Sequence, residues 1–187
     1  MIQRSGRARP LTASALEGRR RQHLSHLVEG VDLSNETLTL YRIERDGTVA
    51  CPVELPPAAR EACVLTAQLY TRSGFMPPWT GYVAVRDGVA VGTAAFKEAP
   101  RDDRVEIAYF TFPDHEGLGI ATAMARELIR IARAELPDVV VTAQTLPEES
   151  ASTHILRTLG FAQAGMAHDD DAGEVWEWHL HPGFRLR

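Results

Sequence analysis

The stretch PDHEGLGIATAM (113–124) joins a β-branched, aromatic run to an alanine-rich one. Gly117 and Gly119 lie two apart, and Ala121, Thr122 and Ala123 follow. Side-chain bulk is therefore withdrawn where a helix begins. The first N–H groups of a helix have no internal partner, and the helix dipole adds partial positive charge there. Without Cβ atoms in the way, an anion such as a pyrophosphate can be held by main chain alone, with the Thr122 hydroxyl as a further donor. The spacing is not that of G-x-G-x-x-G/A, because the third position is Thr122, and no Gly-Lys-Ser/Thr follows as in a phosphate loop. The other reading is a tight strand-to-helix turn.

Working outward, "RVEIAYFTF" (104–112) reads as a strand ended by Pro113. The helix after the glycines runs to about Glu135. Ile120, Met124, Leu128 and Ile131 share one face, with Arg126, Arg130 and Arg133 on the opposite side. "DVVVTAQ" (138–144) has the short, apolar, β-branched character of a buried strand. The unit 104–144 is thus strand–helix–strand and should be parallel. Upstream, "TLTLYRIERDGTVACPVEL" (37–55) alternates about Asp46-Gly47, and "TGYVAVRDGVAVGTAAFK" (80–97) about Asp87-Gly88; both predict hairpins. Pro56 and Pro57 open a helix to about Arg72 with Ala62, Leu65, Leu69 and Tyr70 on its apolar face. Downstream, "PEESASTHILRTLG" (147–160) predicts a helix, and 161–167 and 174–180 two strands. A further helix is expected over 12–29. The class is mixed α/β.

The 187 residues suit one domain with a sizeable core and an extra arm. We divide them into a basic arm, 1–30, and a folded domain, 31–187. Residues 1–22 hold six arginines against Glu17, a net +5, which leaves −10 on the remainder of a chain whose total is −5. An acidic body argues against nucleic acid as the main partner and suits a cationic or amine ligand. No apolar run reaches the roughly 18 residues that cross a bilayer, and none follows the early arginines as in a signal peptide. Cys51 and Cys63 are too few and too far apart for a metal site or disulfide framework, so a cytoplasmic location is expected. His179 and His181 alternate without a third ligand, so no metal is expected.

The run Glu116-Gly117-Leu118-Gly119-Ile120-Ala121, together with Pro147 through Leu159-Gly160-Phe161, resembles the two signatures of the GNAT superfamily of acyl-CoA-dependent N-acyltransferases. The first is Gln/Arg-x-x-Gly-x-Gly/Ala after a strand; the second is a helix start leading to Leu-Gly-Phe. The resemblance spans about Trp79 to Leu180 and is nearest to the ribosomal-protein alanine acetyltransferase branch. It implies a single domain with a central twisted, mostly antiparallel sheet, one parallel strand pair at the cofactor site and flanking helices. It implies acetyl-CoA as the acyl donor, a small-molecule or peptide amine as acceptor, and a homodimer as one expected assembly. It further implies that Tyr109, Phe110 and Thr111 offer main chain to the pantetheine, and that Gly117, Leu118, Gly119, Ile120, Ala121 and Thr122 hold the pyrophosphate. Three positions depart from the family: Glu116 replaces Arg or Gln, Ser150 stands where the helix start has Asn, and Leu156 replaces a tyrosine. Ser150 remains a candidate contact to the cofactor.

Acetyl transfer to an amine requires a neutral amine, a polarised thioester carbonyl and a protonated leaving thiolate. Glu106 is the candidate general base. A carboxyl flanked by Val105 and Ile107 is expected to have a raised pKa; the alternative is an exposed strand carboxylate. An N–H of 109–111 is a candidate oxyanion donor. Ser152 matches a serine assigned to the leaving thiolate in the ribosomal-protein branch, and Tyr109 is the second candidate. Two other readings stand beside the enzyme: a catalytically silent acyl-CoA-binding module, and a polyanion-binding protein acting through its arginine arm.

Overall fold

The computed structural model describes residues 38–183. The basic arm and the helix expected over 12–29 lie outside the described residues. Among the described residues, seven strands form one sheet in the order β1-β2-β3-β4-β5-β7-β6. They are β1 (Thr39–Arg42), β2 (Gly81–Arg86), β3 (Val89–Phe96), β4 (Arg104–Thr111), β5 (Val140–Thr145), β6 (Ala162–Asp169) and β7 (Gly173–Leu180). Helix α1 (Pro57–Ser73) follows β1, α2 (Ile120–Glu135) joins β4 to β5, and α3 (Ala151–Thr158) joins β5 to β6. All neighbouring strands are antiparallel except β4 and β5. That pair is parallel because α2 carries the chain back to the starting end of the sheet. This is the mixed α/β sheet expected from the sequence. No helix among the described residues is long and apolar enough to cross a membrane.

Alternation along β4 decides what each face does. Val105, Ile107 and Tyr109 belong to the main apolar cluster, while Glu106, Ala108 and Phe110 point the other way. Ile120, Met124, Ala125, Leu128, Ile129 and Ala132 of α2 fill that cluster from above, with Leu156 of α3 and Trp178 and Leu180 of β7. Each large aliphatic side chain buried in this way contributes about 1.5–3 kcal/mol. Contact between β3 and its neighbours depends on Gly92, where a Cβ would meet Phe110 O at 2.4 Å and Met124 Cε at 3.1 Å. A second cluster, with Ala59 and Cys63 of α1, Ile43, Val83, Val85, Ala90 and Phe112, holds α1 to the sheet.

Two expectations are corrected. The hairpin over 37–55 reduces to one isolated bridge, Ile43 to Val49, around a tight turn closed by Glu44 N donating to Thr48 O at 2.8 Å. Its first arm pairs instead with β2, because Val83 to Val85 offer a longer buried partner than 49–55. The apolar face of α1 is also rotated from the one read in the sequence. Ala59 and Cys63 are buried, whereas Leu65 and Leu69 are 53% and 58% exposed. Tyr70 fixes this rotation: its hydroxyl donates to Ile43 O at 3.1 Å and accepts from Gly81 N at 2.8 Å.

Candidate active site

The site begins where β4 and β5 part. They pair only at Arg104–Val140, Val105–Val141 and Glu106–Thr142. Beyond Glu106, β4 continues with β3 as its partner and β5 with β7. Tyr109, Phe110 and Thr111 therefore line an edge that faces a gap instead of a strand. Among the described residues, Thr111 Oγ1 is buried without a hydrogen-bond partner. Such an orphan costs about 1–3 kcal/mol.

The chain leaves β4 through a 3-10 turn at Pro113–His115 and reaches the glycines. Gly117 has φ 75° and Gly119 has φ 73°, both left-handed. Gly119 is the N-cap of α2, which has no side-chain cap. The helical bonding starts at Ala123 N to Gly119 O, 3.0 Å. A Cβ on Gly117 or Gly119 would meet none of the described residues within 4 Å. The bareness of this turn therefore answers no packing need among the described residues. Ile120 is buried in the core, so it offers only its main chain, and Leu118 is 60% exposed. Glu116 is exposed. Arg86 at the end of β2 donates to Leu118 O at 3.2 Å, which sets a cation against this turn. Sequence reasoning missed it, because only the fold brings 86 and 118 together.

Glu106 has a cationic partner that the sequence reading did not name. Its Oε1 lies 2.6 Å from Lys97 Nζ. Lys97 also reaches Asp169 Oδ2 and Gln144 Oε1, each at 3.2 Å. The cause is register: Lys97 N donates to Glu106 O at 3.0 Å, so the two side chains stand opposite each other across β3 and β4. Burial alone would lower the Lys97 pKa, but the Glu106 and Asp169 carboxylates outweigh it and hold the ammonium above its usual value. The N–H groups of Ala172 and Asp171, and then Lys97, keep the Asp169 carboxyl below its usual value. A recess of about 290 Å³ adjoins Glu106, lined by Lys97, Glu98, Ala99, Arg101, Arg104 and Thr142 among others.

The remaining candidates are placed less centrally. Ser150 caps α3. Its Oγ accepts from Thr153 N at 3.4 Å, and Ser150 N donates to Thr153 Oγ1 at 3.0 Å, a reciprocal capping box. Ser152 sits exposed in the first turn of α3. Leu156, at the family's tyrosine position, is buried at 1% exposure and carries no proton to give. Burial pushes the Tyr109 hydroxyl up to about 12.

A family model described as an acetyltransferase (GNAT) domain matches residues 34–162, more than half of the sequence. The chain belongs to the GNAT acetyltransferase family. Solved structures share the GNAT fold with it. RimL, a ribosomal L7/L12 alpha-N-protein acetyltransferase, superposes with a TM-score of 0.56 at 16% identity, covering 79% of this chain and 94% of that one. A spermidine N-acetyltransferase SpeG chimera from Vibrio cholerae and hSSAT gives 0.58 at 17%, covering 77% and 95%. YncA from Salmonella typhimurium, solved with its cofactor acetyl-CoA, gives 0.54 at 18%, covering 82% and 98%. No curated protein matches the sequence. In this GNAT domain the second signature is largely packing: Gly160, with φ 87°, ends α3, and Leu159 and Phe161 on either side of it are buried.

Proposed function

We propose that this GNAT acetyltransferase moves an acetyl group from acetyl-CoA directly to an amine, with Glu106 as general base. The observation that carries the reading is the open left-handed turn at Gly117 and Gly119, whose uncapped helix N-terminus has space that none of the described residues fills. Main chain of 117–122 would hold the pyrophosphate, and Tyr109, Phe110 and Thr111 the pantetheine. Acetyl-CoA supplies an activated thioester when bound. Glu106 stands at the mouth of the gap and takes the proton from the acceptor ammonium, and an N–H of 109–111 polarises the carbonyl. The acidic body favours a cationic amine. A protein N-terminus and spermidine, named for two structural neighbours, are acceptors of that kind.

Leu156 favours a second reading, a catalytically silent acyl-CoA-binding module. Ser152 is the proposed proton source in its place, although positioning alone supplies much of the acceleration in such sites. Thiol release from acetyl-CoA against an amine panel separates the two readings. The enzyme releases thiol with at least one amine, and Glu106→Gln lowers kcat/KM by roughly 10²- to 10⁴-fold. A chain that binds acetyl-CoA and releases no thiol with any amine is the silent module.

A further inference from the structure

Lys97 is the only lysine in the 187 residues; the other nineteen of its twenty lysine and arginine residues are arginines. An arginine keeps its proton under all ordinary conditions, whereas an amine can lose one and become a nucleophile. Wherever the folded chain needs a cation for pairing alone it uses arginine, as in Arg42–Glu44, Arg130–Glu127 and Arg157–Glu149. The one place it uses an amine is against the candidate base.

The position of that amine is specific. Lys97 follows β3, yet its Nζ reaches past β4 to Gln144 on β5, 3.2 Å away. It therefore lies over the point where β4 and β5 part, 2.6 Å from Glu106. The side chain is 42% exposed, so it has room to move. An acceptor amine in an N-acetyltransferase must sit within hydrogen-bond reach of the base and face the gap that takes the thioester, and Lys97 Nζ meets the first condition and stands at the mouth of that gap.

We propose that Lys97 is an internal acetyl acceptor, so that the chain acetylates itself at this residue. The proposal rests on the reading of Glu106 as base and acetyl-CoA as donor. The Lys97 ammonium gives up one proton to solvent through Glu106, an uphill loss because the Glu106 and Asp169 carboxylates hold the ammonium above its usual value. The neutral nitrogen attacks the thioester carbonyl carbon; the C–N bond forms and the C–S bond breaks. The second proton leaves nitrogen as the thiolate departs and becomes the free thiol. An amide on Lys97, one thiol and one released proton balance the step, with the acyl-CoA thioester as the only co-reactant.

The test uses the full chain and acetyl-CoA without added amine, read by intact mass, peptide mapping and thiol release. One acetyl group per chain, mapped to Lys97 and not to the amino terminus, with stoichiometric thiol, is expected. K97R takes up none at that position. E106Q and heat-unfolded wild type should modify at least tenfold more slowly, which excludes simple chemical acetylation by the thioester. The proposal is overturned if Lys97 stays unmodified while the same preparation releases thiol with an external amine. It is equally overturned if E106Q or the unfolded chain is modified at the wild-type rate. If calorimetry finds no acetyl-CoA binding and no amine gives thiol, the function proposed above falls instead, and the self-acetylation with it.

Discussion

Tyr109 shows how one side chain's surroundings decide which step it can serve. A phenol held at about 12 is a weaker acid than a thiol of ordinary pKa, roughly 8.5, so handing its proton to a departing thiolate is uphill. It can still donate a hydrogen bond. Y109F is therefore expected to lower kcat by less than about tenfold, well short of the effect of removing a general acid or base. The same shift predicts alkaline behaviour. Between pH 10 and about 12 the folded chain keeps the Tyr109 proton while the unfolded chain loses it, so stability falls as pH rises through that window. Lys97, also held above its usual value, loses its own contribution in the same direction above pH 10.5. Thermal midpoints measured from pH 8 to 12 should fall less steeply for Y109F. The difference reaches at most roughly 2–3 kcal/mol, the equivalent of two pKa units. Parallel curves would mean that Tyr109 ionises as readily folded as unfolded.

At the scale of elements, two helix starts are built for different purposes. The start of α2 has no side-chain cap and two left-handed glycines, whereas the start of α3 satisfies itself through Ser150 and Thr153. An L-residue at Gly119 must take a conformation that costs about 1–2 kcal/mol, and its Cβ would project into the space assigned to the pyrophosphate. G119V should therefore lower the thermal midpoint modestly and weaken acetyl-CoA binding, by calorimetry, by at least about tenfold, or 1.4 kcal/mol. Loss of stability with unchanged affinity would mean that the turn is mere punctuation. S150A should do the reverse. Removing a cap costs about 1 kcal/mol of stability, and acetyl-CoA affinity should hold, because the Ser150 hydroxyl is engaged by its own helix. These starts also mark the limit of legibility. The glycine turn is written in consecutive residues and could be read directly. That Ser150 caps α3 follows from Ser-Ala-Ser-Thr, but whether a capping hydroxyl is also free for a ligand depends on bonds that only the fold displays.

Across the whole molecule, the order of elements was legible because each strand and helix of the sheet carries its own periodicity, from Tyr82 through Leu180. The arm over 49–55 was misread because alternation says that a segment can pair and not with whom; β1 found β2. The face of α1 was misread because Leu65 and Leu69 are apolar yet exposed, while Tyr70 anchors the helix by its hydroxyl. Glu106 was legible as a candidate, and its partner Lys97 was not, since cross-strand register cannot be counted from a single sequence. All residues of the proposed chemistry, Lys97, Glu106, Tyr109 to Thr111, 117–122 and Ser152, fall within residues 38–183, whereas the six arginines of the arm lie before residue 22. We accordingly propose that the arm, 1–30, and the domain, 31–187, are separable in function. A chain starting at residue 31 should release thiol from acetyl-CoA at a rate within about twofold of the full chain, the size of change expected of surface alterations. It should also bind an anionic polymer such as heparin more weakly, with a shallower dependence on salt, since up to six phosphate- or sulfate-pairing arginines are gone. If the shortened chain stays folded by circular dichroism yet loses thiol release, the arm belongs to the catalytic apparatus. If it keeps thiol release and polymer binding alike, the arginine arm has no polyanion role.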